Sequence, residues 1–193
     1  MHLWIALSGM RKGKSEMSEQ NTNPNNEIVH EVRKACRQFA MQYFHFCKTL
    51  VEEFGIEKAT PLIQKAVFEL SLDRSEQMRT KAQSLGLDPS FENFGKVSDL
   101  PFIGWKGWDP SLGGVRCPYA EVWLTYYDKY PWFKSLAPLY CDVIDTTNIE
   151  NYSQSHSHRI TKNLVKGDEA CERIYYPDEK VKAGEFTYGT KRE

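Results

Sequence analysis

The chain has 193 residues, of which 40% are hydrophobic and 26% are charged, so it can bury a core over most of its length. Its 25 Lys and Arg residues nearly balance its 26 Asp and Glu residues, giving a formal net charge of −1. This balance argues against a general nucleic-acid binder and against a polybasic membrane-surface protein, since both need concentrated positive charge. No apolar run approaches the ~20 residues of a membrane span, so we expect a soluble protein.

The N-terminal segment, residues 1–26, is predicted to be a flexible leader. Its apolar patch at residues 3–7 is too short for a secretory signal, and its positive charges follow the patch instead of preceding it. The five cysteines of the chain are odd in number and include no Cys-x-x-Cys pair. Because no export signal precedes them, we expect reduced thiols and a cytoplasmic protein.

Two long helices are predicted for the first half of the chain. Apolar residues recur at spacings of three and four over residues 27–54, and Gly55 supplies a stop. A second helix is predicted to begin at Thr60-Pro61, an N-cap residue followed by proline at the first helical position, and to end at Gly86. The short connection predicts that the two helices pack as an antiparallel hairpin.

The middle of the chain, residues 87–114, is rich in Pro, Gly, Asp and aromatic residues and is predicted to be an irregular connection. One short strand is predicted near residues 104–108 and another at residues 115–117. Four of the five tryptophans lie within residues 91–140. We interpret most aromatic residues there as core, with the wall of a ligand pocket as the alternative.

Two helices and a β-hairpin are predicted for the rest of the chain. Cys117-Pro118 is typical of a helix entry, and this helix is expected to reach about Tyr130, with another over residues 139–152. Residues 156–165 and 170–176 are predicted to form two antiparallel strands around the turn at residues 166–168.

Helices followed by strands predict an α+β fold. In it, the N-terminal helical hairpin packs on a small, mostly antiparallel sheet with further helices. We expect a single domain over residues 27–177 and a polar tail over residues 178–193.

Cys117 is the candidate nucleophile. If Pro118 is the first helical residue, Cys117 is the N-cap, where unpaired N–H groups and the helix dipole favour an anion. Arg116 adds a positive charge, and both effects are expected to lower the pKa of the thiol. An inert, buried cysteine explains the same pattern equally well.

Cys141 and Asp145 lie one helical turn apart and share a face with Asn148 and Tyr152. A thiol beside a carboxylate can act as an acid–base pair or bind a cationic group of a substrate. A helix with its thiol in the core and its carboxylate at the margin is the simpler alternative.

His156 and His158 lie on one face of the predicted strand. With Asp145 or Cys141 nearby, they could bind a catalytic metal. Because such a short pattern is frequent by chance, we favour a polar strand face or a single histidine acting as a base. We therefore predict no metal and no cofactor.

Three segments that contain cysteine resemble the L-2-amino-thiazoline-4-carboxylate hydrolase family. They are Cys117-Pro118-Tyr119-Ala120-Glu121, Tyr140-Cys141-Asp142 with Asp145, and Gly167-Asp168-Glu169-Ala170-Cys171. The resemblance extends over about residues 27–177. It implies a hydrolase that opens a cyclic amidine or isothiourea, a small-molecule substrate, to a carbamoyl-cysteine product.

The resemblance also implies roles for individual residues. Asp145 would hold the protonated amidine, while Cys117 attacks the ring carbon with Cys141 in the same catalytic group. In the alternative, an activated water attacks and Cys117 only shapes the pocket. Arg116, Arg159 or the helix N-terminus would bind the substrate carboxylate. The other expected substrate-binding residues are Tyr119, Trp105 and His158.

Two further functions are compatible with the sequence. One is a small-molecule-binding or sensor module without catalysis, in which the aromatic-rich middle and the terminal hairpin form the ligand cleft. The other is a metal-assisted hydrolase that uses His156 and His158. The sequence leaves open whether the chain forms a homo-oligomer.

Overall fold

A computed structural model of the chain describes residues 24–192, so most of the predicted leader at residues 1–26 lies outside the described part. The helices and strands, in chain order, are α1 (Pro24–Phe54), α2 (Ile56–Ser84), α3 (Ile103–Lys106), α4 (Pro118–Trp123), α5 (Phe133–Ser153), β1 (His156–Lys162), β2 (Glu172–Pro177) and α6 (Glu179–Lys182). Short 3-10 turns cover Phe91–Lys96, Pro110–Leu112, Leu124–Tyr126 and Leu164–Lys166. These elements confirm the predicted α+β class.

The first two helices form the predicted pair, but the second begins earlier than expected. Gly55 separates them with a φ of +76°, a conformation that other residues rarely adopt. The good helix formers after Gly55 make the first turn of α2, so Thr60 is not an N-cap and Pro61 lies inside the helix. Instead of capping, the Thr60 hydroxyl donates to the carbonyl of Ile56 at 2.7 Å.

The two strands predicted for the middle of the chain are wrong. The stretch near residues 104–108 forms α3, a single helical turn. In the next stretch only Cys117 is shown to be extended, and the carbonyl groups before it pair with a side chain and not with a strand. The buried guanidinium of Arg33 donates to the carbonyls of Val115 and Arg116 at 2.6 and 2.9 Å and to that of Gly104 at 2.9 Å. One arginine thereby satisfies backbone groups that a neighbouring strand would otherwise pair.

The helix entry at Cys117-Pro118 is confirmed, since Cys117 is the N-cap of α4. The helix is shorter than predicted, because it changes to a 3-10 turn after Trp123. Helix α5 begins at Phe133, which makes the predicted start near residue 139 wrong. Pro138 is its sixth residue, where a proline removes one hydrogen bond near the end of the helix and does not prevent the helix from starting earlier.

The predicted hairpin is confirmed, and its register fixes which side chains share a face. In the antiparallel pair of β1 and β2, His158 is opposite Tyr175 and Ile160 is opposite Arg173. Because side chains alternate along a strand, these four share one face, and Arg159 is on the other. The first strand ends at Lys162, since the residues expected to extend it form a 3-10 turn.

Helix α5 lies between the helical pair and the sheet, with α2 packed on one side and β1 on the other. Aromatic residues of the middle segment contribute to the core, in agreement with our interpretation. Trp123 and Phe133 are fully buried, and Tyr140 is almost fully buried. The Trp123 indole N–H donates to the carbonyl of Ala40 on α1 at 2.9 Å. Among the helices within residues 24–192, none combines the length and the apolar character needed to cross a bilayer.

The residues after β2, which we predicted to be a polar tail, fold back against α5. Val181 of α6 is buried. The fully buried carboxylate of Glu150 accepts hydrogen bonds from the Ser157 hydroxyl at 2.6 Å and from the Thr187 backbone N–H at 3.0 Å. A buried carboxylate on α5 therefore ties the C-terminal segment to the rest of the fold.

Candidate functional site

An ion pair between α5 and β2 is at the centre of the site. The Arg173 guanidinium donates to Oδ2 of Asp145 from Nη2 at 2.5 Å and from Nε at 3.0 Å. The side chains are 32% and 31% exposed, so a small molecule can reach both from solvent. The Asp145 carboxylate raises the pKa of Arg173 against the opposing effect of burial. The pair thus presents a fixed negative charge and a fixed positive charge side by side.

Three thiols gather beside this ion pair. The pKa of Cys141 lies well above its usual value, because burial raises it first and the Asp145 carboxylate raises it further. The thiols of Cys117 and Cys171 also raise it, which places three cysteines from three different segments within electrostatic reach of one another. Cys171, before β2, accepts a hydrogen bond from the Leu164 N–H at 3.4 Å. The fold therefore brings Cys117 and Cys171 near Cys141, which lies beside Asp145.

Cys117 is at the helix N-terminus, but the expected depression of its pKa is wrong. Burial is the largest influence and raises the pKa of the thiol. The backbone N–H groups of Ala120 and Tyr119 and the side chain of Trp105 lower the pKa, as the N-cap argument expected, but they do not outweigh burial. The Arg116 side chain is exposed, and its carbonyl is bound by Arg33. The thiol is therefore protonated at neutral pH.

Aromatic rings form a wall next to Cys117. Trp105 packs at right angles to Tyr119, with ring centroids 5.4 Å apart. Tyr119 in turn contacts Tyr140 and Phe39, at centroid distances of 6.1 and 5.5 Å. Burial raises the pKa of both tyrosines, so their hydroxyl groups are neutral. The structure thus places the predicted residues Trp105 and Tyr119 at the site.

A second arginine, Arg74 of α2, lies near the same tyrosines. It donates to the Asp99 carboxylate from Nε at 2.6 Å and from Nη2 at 2.9 Å. Burial opposes its charge, but Asp99 raises its pKa, and Asp145 adds to that effect. The Arg74 charge lowers the pKa of Tyr119 and Tyr140. The site therefore has two arginine–carboxylate pairs and not one.

His158 also belongs to the site. Its side chain is nearly inaccessible, since the residue is only 3% exposed, and its Nδ1 lies 3.0 Å from the Thr146 hydroxyl on α5. The ring packs against Tyr175 at a centroid distance of 5.5 Å. Burial lowers the pKa of the imidazole, while the Asp145 carboxylate raises it and the Arg173 charge lowers it. A neutral imidazole therefore lies within electrostatic reach of the ion pair.

His156 does not join His158 in a metal site. Its ring stacks on Phe91 at a centroid distance of 4.4 Å, and its Nδ1 lies 2.9 Å from the Ser155 hydroxyl. Within residues 24–192, no group of three or more His, Cys, Asp or Glu side chains has an arrangement that could hold a metal ion. The geometry of the described residues thus gives the metal-assisted alternative no support.

The arginines were the least predictable part of the site. Arg116 and Arg159 are exposed, and Arg159 lies on the face of β1 opposite to His158. Arg173 and Arg74 are at the site instead. The alternation of side chains along the predicted hairpin could have identified Arg173, because Arg173 shares a face with His158. No local pattern in the sequence marks Arg74.

An open cleft of about 460 Å³ lies elsewhere on α5, between that helix and the turn after β1. Asp142 and Lys134 from α5 line it together with Lys166. It contains none of the predicted site residues. We assign the site to the ion pair and the thiols, because a reaction depends on which functional groups are present and not on the volume of a cleft.

The buried His158 predicts that the protein loses stability as the pH falls. Its pKa in the folded protein lies below the ordinary 6.5, so between these values the unfolded chain binds more protons and acid favours unfolding. The stabilising contribution is complete above pH 6.5 and is lost as the pH falls toward the folded pKa.

Urea unfolding of wild-type protein and of His158→Asn, between about pH 7 and about pH 5, measures this effect. We expect the free energy of unfolding to fall less steeply with acid in the variant. Identical slopes for the two proteins would contradict the buried, neutral imidazole.

Comparison with known proteins assigns most of the chain to one family. A family model described as L-2-amino-thiazoline-4-carboxylic acid hydrolase matches residues 35–175. This segment includes all the site residues described above, from Arg74 to Tyr175. No curated protein and no solved structure gives a significant match.

Proposed function

Because the chain belongs to the L-2-amino-thiazoline-4-carboxylic acid hydrolase family, we propose that it hydrolyses a cyclic amidine that carries a carboxylate, such as 2-amino-thiazoline-4-carboxylate. Water adds to the ring carbon between the sulfur and the two nitrogens. The bond from this carbon to sulfur then breaks, and the ring opens to a carbamoyl-cysteine. The family name supports a hydrolase, and the residues of the site support this substrate.

The observation that carries the proposal is the ion pair between Asp145 and Arg173, which is about a third exposed and lies beside Cys141. A protonated amino-thiazoline carboxylate has the complementary charges. Its amidinium pairs with Asp145, and its carboxylate pairs with Arg173 in the two-point geometry that arginine favours. Binding therefore replaces the ion pair between Asp145 and Arg173 with two ion pairs, one from each of these residues to the substrate.

Asp145 has a catalytic role in addition to binding. The ring carbon is a poor electrophile unless a ring nitrogen is protonated, and a carboxylate next to that nitrogen favours the cationic form. Tyr119 and Trp105 provide flat apolar surfaces for the ring. The pocket therefore stabilises the reactive form of the substrate before water attacks.

Cys117 and Cys141 act in their protonated forms. Because burial raises the pKa of both thiols, neither supplies a thiolate at neutral pH, and we favour the alternative in which water attacks. A protonated thiol can donate a hydrogen bond to the ring sulfur as its bond to carbon breaks. The cysteines then assist the leaving group and do not attack the ring.

Cys117→Ala is expected to retain measurable turnover, with kcat/KM lowered by no more than about 100-fold, the lower range for loss of an assisting proton donor. The mass of wild-type protein quenched during turnover is expected to be that of the unmodified chain. A substrate adduct on Cys117, or complete loss of turnover in a folded variant, would contradict this role.

The substrate class is tested with a pair of compounds that differ in one group. Purified protein is incubated with 2-amino-thiazoline-4-carboxylate and with 2-amino-thiazoline, which lacks the carboxylate. Mass spectrometry follows a product one water heavier than each compound. We expect kcat/KM to be at least about tenfold lower without the carboxylate, because an ionic contact with Arg173 is lost. Equal rates would contradict the role of Arg173.

A binding module without catalysis is the second candidate, and the protonated state of Cys117 favours it. This candidate predicts saturable binding of the same compounds without product. Calorimetric binding together with mass detection of product separates the two functions.

A further inference from the structure

His158 lies beside the ion pair, and any part that it has in the reaction rests on the proposed function. The strand register places His158 on the same face of the hairpin as Tyr175 and Arg173. This face packs on α5, where Thr146 binds the imidazole Nδ1 and the adjacent Asp145 binds Arg173. The ring thus contacts both elements that carry the ion pair, α5 through Thr146 and β2 through Tyr175.

Within residues 24–192, the second ring nitrogen of His158 has no hydrogen-bond partner. Nε2 of His158 is buried and makes no hydrogen bond to any residue that the structure describes. Buried polar atoms in proteins are nearly always hydrogen-bonded, to the protein or to an ordered water. Since Nδ1 is already bound by Thr146, the unpaired Nε2 indicates a position for a water or for a group of a ligand.

Burial and the surrounding charges leave the imidazole of His158 neutral, so it can accept a proton. Asp145 and Asp142 approach from α5, and Arg173 and the Tyr175 ring approach from β2. Burial lowers the pKa of the imidazole below the ordinary 6.5, so the ring is neutral at neutral pH. A neutral imidazole whose Nδ1 carries the proton, hydrogen-bonded to Thr146, presents Nε2 as an acceptor.

We propose that Nε2 of His158 accepts a proton from the water that attacks the ring carbon, which makes His158 the general base of the reaction. The water oxygen forms a bond to that carbon, and one water proton moves to Nε2. The bond from carbon to sulfur then breaks, with its electron pair on sulfur, which takes the proton back from the imidazolium. The hydroxyl of the intermediate becomes the carbonyl by releasing its proton, which balances the proton that the amidine took up.

The test compares His158→Asn with His156→Asn, a matched change on the same strand at a histidine outside the site. An asparagine amide occupies the position of Nδ1 and can still bind Thr146, but it provides no base at the position of Nε2. We expect kcat of His158→Asn to fall by about 100- to 10,000-fold, the usual range for loss of a general base, with little change in KM. His156→Asn is expected to retain wild-type kcat.

The pH profile separates a catalytic role from a structural one. Wild-type kcat/KM is expected to fall with acid below pH 6.5 as His158 becomes protonated, and His156→Asn is expected to keep this limb. Loss of the limb in His158→Asn supports the proposal. If that variant does not fold, the wild-type profile decides, since a flat profile from pH 6.5 down to the range of carboxylate titration overturns the proposal.

Two results overturn different parts of the account. A folded His158→Asn variant with wild-type kcat and an unchanged acidic limb overturns the role of His158 alone. Absence of turnover by the wild-type protein overturns the proposed function, and the role of His158 with it.

Discussion

Asp145→Asn is expected to lower kcat/KM for 2-amino-thiazoline-4-carboxylate by about 100- to 1000-fold, the usual cost of losing one preorganised electrostatic contact to the reacting group. Asparagine has nearly the same size as aspartate but carries no charge. It therefore cannot hold the amidinium form that makes the ring carbon electrophilic, and it leaves Arg173 without its counter-ion. Steady-state kinetics measures the loss, and thermal unfolding shows whether the variant is folded.

Asp142→Asn provides a matched control for this prediction. Asp142 lies on the same helix, is 28% exposed and also pairs with a cation, Lys166, at 3.3 Å. Because it lines the open cleft and has the smallest of the charge effects on His158, we expect kcat/KM of this variant to change by no more than about twofold. An equal loss in both variants would indicate a general effect of helix charge and would contradict the catalytic role of Asp145.

Arg33→Met is expected to lower the free energy of unfolding by about 3–5 kcal/mol, the range for breaking a buried ion pair by removing one partner. Arg33 is 1% exposed and donates to Glu121 at 2.5 Å as well as to the carbonyls of Gly104, Val115 and Arg116. Without the guanidinium these acceptors lose their donor while they remain largely shielded from water. Urea unfolding measures the change.

Arg37→Met tests whether burial is the cause. Arg37 bonds the same carboxylate of Glu121 at 2.7 Å, but its side chain is 33% exposed. We expect a cost of about 0–1 kcal/mol, as for other solvent-accessible pairs. Equal costs for the two variants would show that Arg33 does not hold the segment that leads to Cys117.

The predictable part of the fold depends on local signals. Three local patterns predicted a helix or its boundary. They are the apolar spacing of α1, the glycine at position 55 and the proline after Cys117. The one-turn spacing of Cys141 and Asp145 likewise places both on one face of α5. The site residues on α5 and at the start of α4 could therefore be named from the sequence.

The rest depends on contacts between distant parts of the chain. The strands predicted in the middle segment fail because Arg33, more than 70 residues away in sequence, satisfies its carbonyls. The pKa of Cys117 depends on how deeply the fold buries the thiol, which the N-cap motif does not specify. Arg74 reaches the site only because α2 packs against α5.

The most direct test of the central claim is to follow thiol formation when wild-type protein is mixed with 2-amino-thiazoline-4-carboxylate. Each ring that opens releases one thiol, which a thiol reagent detects above the background from the protein's own cysteines. We predict catalytic formation of one thiol per substrate consumed, together with a product one water heavier. Thiol formation at the rate of a sample without protein, even when the compound binds saturably, would contradict a hydrolase site at Asp145 and Arg173.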